Sequence, residues 1–176
     1  LLGVEALVLE HAAPWPASLV LHRRALLKYQ LLFRHLFRCR FVEARVNASW
    51  LALRRRGGGR EPARQPGAGP TTTTSNMDAH VLCHRMLSLL QGLSFYQSYS
   101  VLAPHWARLQ HDVSAASSVD DVIVAQDAFL DATLRECLLT NPPLQRKLAR
   151  VLRRCLAFAD EVVVSLSGGW GTVNAA

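Results

Sequence analysis

Between about His22 and Leu53 the chain keeps a helical rhythm for roughly 30 residues, about 45 Å of α-helix. Leu26, Tyr29, Phe33, Leu36, Phe37, Phe41, Ala44, Ala48 and Leu51 recur at intervals of three and four on one broad face, and Arg34, Arg38 and Arg45 keep the same spacing on a separate stripe. An apolar face of that length has to be covered by other helices, which commits the chain to helix-on-helix packing. The densest part, KYQLLFRHLFRCRF (residues 28–41), carries five basic side chains and no acid. A helix lying on a membrane or gripping a nucleic acid would expose its aromatics. Here they fall on the face a helical domain needs to bury, so the expected arrangement is core on one side and solvated arginines on the other. Phe33, Phe37 and Phe129 are the expected core aromatics.

The chain has 176 residues, half of them apolar, enough for one domain with a real core. Its formal net charge of +7, from 20 Lys and Arg against 13 Asp and Glu, suits an acidic partner. The opening LLGVEALVLEHAAPWP lacks a basic stretch before its apolar residues and carries Glu5 and Glu10 among them, so it does not read as a signal peptide. With Leu1 in place of Met, the chain reads as a fragment or an incomplete gene model. The longest uncharged stretch, between Arg85 and Arg108, is broken by serines, glutamines, Gly92 and Pro104, which favours a buried helix over a membrane span. Cys39, Cys83, Cys137 and Cys155 are scattered through helical positions with no CxxC pair, as expected of reduced, buried, cytosolic thiols.

Around the long helix the remaining elements follow from punctuation. Residues 4–13 alternate weakly and read as a short extended segment ending at PWP. Residues 54–76, RRRGGGREPARQPGAGPTTTTSN, hold most of the glycine and proline and read as a disordered low-complexity loop between two helices. Helical spacing resumes near Met77, with Pro104 marking a kink or break. Ser118 followed by Asp121 predicts a capping box, and the helix behind it buries Val122, Ile123, Phe129, Leu130, Thr133, Leu134 and Cys137, with Asp120, Asp127 and Asp131 on an outer stripe. Asn141 and Pro142 start the last helix. Leu144, Leu148, Val151, Leu152, Cys155, Phe158, Ala159 and Val162 form one side of it, and Arg146, Lys147, Arg150, Arg153 and Arg154 the other. Residues 166–176 read as a loose tail.

Enzymatic chemistry finds no constellation to rest on. HVLCH puts His80, Cys83 and His84 on one helical face, but a zincin would need a glutamate where Val81 stands. RRRGGGR follows a helix and lacks the closing Lys and Ser or Thr of a phosphate loop, and no GxSxG elbow occurs. Asp120 and Asp121 are accounted for by a helix start. The sequence therefore predicts no catalytic, cofactor-binding or metal-binding residue and speaks for a helical interaction module.

Three strings taken together add a family. PWPASLVLHRRALLKYQLLFRHLFRCRFVEARVNASW, RMLSLLQGLSFYQSYSVLAPHW and SSVDDVIVAQDAFLDATLRECLLTNPPL resemble, in this order, the C-terminal domain of the gamma-tubulin complex proteins. The forms YQLLFRHLF and CLLTNP are most similar to those of the second component. The resemblance implies an all-α fold, an elongated helical bundle that is the last part of a larger C-terminal domain. It also implies a scaffold without enzymatic activity or cofactor that binds gamma-tubulin and supports microtubule nucleation at organising centres such as spindle poles. Other complex components would pair through an upstream part, with no nucleic acid and no membrane insertion involved. Arg34, Arg38, Arg45, Asp120, Asp127 and Asp131 are the candidate polar rim of the partner surface. The glycine-rich loop and the basic face of the last helix depart from the family pattern. They support the alternative, a basic helical module binding nucleic acid or anionic membrane.

Overall fold

The computed structural model describes residues 7–8, 12–58 and 71–167, with side chains at 7–8, 12–55 and 77–165. Among them the chain is all-α, with no strand. A single turn, α1 (Ala17–Val20), precedes α2 (Arg23–Gly58), α3 (Thr71–Phe95), a π-helical stretch (Tyr96–Leu102), α4 (Ala103–Ala115), α5 (Val119–Glu136) and α6 (Pro142–Ser167). No described helix is long and apolar enough to cross a membrane.

Both boundaries of the expected loop move inward. α2 runs on through Arg54, Arg55 and Arg56 to Gly58, and α3 begins at Thr71, so only residues 59–70 of the 54–76 loop lie outside the described residues. Arginine is a good helix former and threonine is only a few tenths of a kcal/mol worse, so helix can run into both ends of that stretch. α6 likewise covers residues 166 and 167 of the expected tail, and 168–176 lie outside the described residues. Of the expected extended segment, residues 7–8 and 12–13 are non-helical and the others lie outside the description.

The starts of α5 and α6 are as the sequence predicts. Ser118 Oγ accepts the Asp121 amide at 3.1 Å, and Asp121 Oδ2 accepts the Ser118 amide at 3.0 Å, closing the capping box. Asp121 also accepts from the Ser117 amide and hydroxyl, and the hydrogen bond from Ser118 leads the contacts that hold its carboxyl below the usual range. Asn141 Oδ1 caps α6 by accepting the Leu144 amide at 3.3 Å. Ser118→Ala should lower the unfolding free energy by about 1 kcal/mol. A melt unchanged in that variant would show that α5 does not depend on its cap.

Helix α5 ends differently from the TNPP stop that the sequence suggests. The Leu139 amide donates to the Leu134 carbonyl at 3.0 Å and the Leu138 amide to that of Arg135 at 3.1 Å, with Leu138 at φ 64°. This is the six-to-one closure that usually carries glycine at the left-handed position. A leucine there bears a steric cost of about 1 kcal/mol.

The chain divides into two compact units. The first comprises Leu1–Arg40 and Leu93–Ala149. Its core has one cluster of Ala25, Leu109, Phe129 and Leu130, with Tyr29 and Ala125 against it, and another of Leu32, Val101, Leu134 and Cys137, with Leu36, Leu102 and Leu139 against it. Burial pushes the Cys137 thiol up to about 11. The second unit comprises Phe41–Gly92 and Arg150–Ala176, and its buried side chains include Val42, Val46, Leu53, Cys83, Leu90, Leu152, Cys155, Leu156 and Ala159. All four cysteines are free and buried.

The buried stripe of α2 is not the one its aromatics mark. Ala25, Leu32, Cys39, Val46 and Leu53 are buried at intervals of seven, joined by Val42 and Ser49, while Phe33 and Phe37 are half-buried and Ala44, Ala48 and Leu51 exposed. Aliphatic and small side chains fill the buried side, and the large rings lie over its margin. Phe33 and Phe37 stack on each other at 5.6 Å between centroids. Phe129 is buried as expected.

Candidate protein-interaction surface

Of the expected rim residues, Arg34, Arg45, Asp127 and Asp131 have partners within the chain. Lys28 Nζ lies 2.9 Å from Asp127 and 2.7 Å from Asp131, which raises the lysine's pKa, the hydrogen bond to Asp131 contributing most. Asp120 is exposed in the first turn of α5. Arg34 Nε donates to the Leu7 carbonyl at 3.3 Å. Arg38 is half-buried near His35, and its charge adds to the effect of burial in holding the His35 pKa below the usual value. All of these belong to the first unit. Arg45 belongs to the second, where it is ion-paired with Asp160 of α6.

The HVLCH residues also have structural roles in the second unit. The rings of His80 and His84 lie 5.3 Å and 6.3 Å from that of Trp50, and the Cys83 thiol donates to the Val46 carbonyl at 3.6 Å. No group of three metal-ligating side chains occurs among the described residues.

The first unit contains a feature that charge patterning does not mark. Pro104 has no amide to give to a carbonyl four residues earlier, and its ring would clash there. The chain resolves this by widening the preceding turns into the π stretch, where the Ala103 amide reaches the Ser98 carbonyl five residues back. Two side chains of this stretch, Gln97 and Val101, turn inward. Gln97 Nε2 donates to His35 Nε2 at 2.8 Å, which requires that ring nitrogen to be unprotonated and agrees with the lowered pKa of a buried imidazole. Tyr96 donates its hydroxyl to the Glu136 carbonyl at 3.3 Å, and His105 Nε2 lies 3.0 Å from the Glu136 carboxylate, so the π stretch and α4 are both tied to the end of α5.

With those residues fixed inward, others are presented outward. The rings of Phe95 and Tyr99 lie 4.8 Å apart, tilted by 31°, while 61% and 67% exposed. Around the helix, Trp106 is 50% exposed and meets Phe129 edge to face at 6.0 Å. Trp106 and Phe129 border a cleft of about 420 Å³ with Leu36 and Arg40 of α2, Ser94 of α3, and Gln97, Ser98, Leu102 and Ala103. Aromatic anchors beside an arginine and an apolar hollow are the composition of an energetic centre in a protein interface. Ordinary surfaces leave single apolar residues scattered, whereas here two exposed rings are in contact.

Comparisons with known proteins agree on one family. The family described as gamma tubulin complex component C-terminal matches residues 1–173. Gamma-tubulin complex component 2 of Arabidopsis thaliana is 34% identical over 157 residues, covering 89% of this chain and 22% of the relative. Its Mus musculus counterpart is 32% identical over 158 residues, covering 90% of this chain and 16% of the relative. Spindle pole body component alp4 of Schizosaccharomyces pombe is 31% identical over 158 residues, covering 90% and 20%. The chain thus spans about a sixth to a fifth of the length of these relatives.

Proposed function

Because this chain belongs to the gamma tubulin complex component C-terminal family, we propose that it is the part of a longer scaffold protein that binds gamma-tubulin and thereby supports microtubule nucleation. Proteins of the family are structural and not enzymatic. The observation that carries the reading is the match across residues 1–173, which takes in both units and every described helix.

The proposed contact centres on the exposed faces of the first unit, with Phe95, Tyr99 and Trp106 as anchors. Arg34, Arg38, Asp120, Asp127 and Asp131 form its charged rim, where single charges alter association rate and salt dependence more than affinity. Arg45 of the second unit is proposed as a separate polar contact, one that has to compete with Asp160. The other partners in this reading are further components of the complex, engaged by parts of the parent protein outside residues 1–176. A relative named as a spindle pole body component supports placing that parent at a microtubule organising centre.

The test is gamma-tubulin co-sedimentation with the full parent protein and with the same protein lacking residues 1–176. Binding should fall to background in the deletion while the remaining protein stays folded by circular dichroism. Undiminished binding by a folded deletion would refute the proposal.

A further inference from the structure

In the second unit, α3 and α6 line a groove of about 330 Å³ whose chemistry is divided. Met86, Leu89 and Val151 give it apolar surface, and Arg85, Arg150 and Arg154 give it three guanidinium groups. Helical register produces the division. Arg85 and Leu89 are one turn apart on α3, and Arg150 and Arg154 are one turn apart on α6 with Val151 adjoining. Leu89 is 55% and Val151 39% exposed, so this apolar strip is open to solvent. No carboxylate is among the residues lining it. Arg150 and Arg154 also border a second hollow that reaches Ala157, which carries the cationic edge further along α6.

The geometry points to a docking groove for an acidic amphipathic helix of another protein. Apolar side chains at i and i+3 or i+4 of the incoming helix cover Leu89 and Val151. Its flanking Glu and Asp residues meet Arg85 on one wall and Arg150 and Arg154 on the other. Helix-in-groove binding uses this division of labour, and guanidinium forks pair with carboxylates bidentately. The apolar strip is what selects a peptide over other anions. A nucleic acid strand would find no aromatic ring in the groove on which to stack a base. A bilayer is bound by apolar side chains that reach into the acyl region, whereas here they line a concavity edged with arginine. The groove belongs to the second unit and the proposed gamma-tubulin anchors to the first, so the two activities are separately testable.

The probe is a fluorescein-labelled synthetic helix with Leu at i, i+3, i+4 and i+7 and Glu elsewhere, titrated with the full chain and followed by anisotropy. Saturable binding is expected, weakened about a hundredfold in the double variant Arg150→Glu/Arg154→Glu, where attraction becomes repulsion. Leu89→Ser should weaken it about tenfold, as should scrambling the peptide so that its leucines no longer share a face. Arg150→Gln/Arg154→Gln, at exposed positions, should retain the wild-type melt and still lose about tenfold. Equal affinity for the scrambled peptide would overturn the inference, as would full affinity in both arginine double variants. So would tighter binding to oligothymidylate or to phosphatidylserine vesicles that the same variants abolish.

Discussion

Phe129→Ala should lower the unfolding free energy by about 3–5 kcal/mol, whereas Phe33→Ala and Phe37→Ala should each cost about 1–2 kcal/mol. The ring of Phe129 lies in a cluster with Ala25, Leu109 and Leu130, and Trp106 packs edge to face on it, so truncation leaves a cavity with walls from α2, α4 and α5. Phe33 and Phe37 are half-buried and gain part of their contact from each other, one turn apart on a single helix. That contact needs no tertiary structure and survives in an isolated helix. A domain of ordinary stability, about 5–15 kcal/mol, tolerates the second kind of loss far better than the first. Urea titration of the three variants measures the difference. Equal losses would mean that the margin of α2 is packed as tightly as its centre.

Affinity for gamma-tubulin should fall at least about tenfold in Phe95→Ser/Tyr99→Ser, and by a similar factor in Trp106→Ala. The first pair is exposed by 61% and 67%, so the double variant should keep the wild-type melt, and any lost binding is a property of the surface. Trp106 is shared between surface and core through Phe129, so its variant should lose both affinity and some stability. Measured in the full parent protein, unaltered affinity in both variants would move the contact away from this face. The deletion of residues 1–176 would still decide whether the chain binds at all.

The features legible in the sequence are local or strongly segregated. Ser118 and Asp121 stand three residues apart and can do little else than cap, and α6 separates arginine from leucine so cleanly that its buried Leu152, Cys155, Ala159 and Val162 lie on the expected side. The family followed from three ordered strings that the match over residues 1–173 joins. The inner stripe of α2 was hidden because Ala25, Cys39 and Ser49 interrupt its Leu32, Val42, Val46 and Leu53, and the rings of Phe33 and Phe37 beside it carry a stronger apolar signal. Gln97 and Gln126 are buried although glutamine ordinarily stays outside. The cleft draws on Leu36, Ser94, Trp106 and Phe129, positions brought together by tertiary structure that no periodicity within one helix encodes. A charge stripe in the sequence shows a charge without its partner. Lys28 answers Asp127 and Asp131 from a hundred residues away in sequence.

The π stretch ties the length of the chain to its chemistry at one position. Each π turn holds a residue more than an α turn, so Tyr96–Leu102 can lose one residue by tightening, leaving the helices on either side in their own registers. A deletion inside α5 has no such outlet: it rotates everything beyond it by about 100° and carries Leu130 and Leu134 off the core. Tightening, however, brings the Pro104 ring back against a carbonyl one turn earlier. The extra residue and the proline are therefore a matched pair, and related chains that dispense with one have reason to dispense with the other.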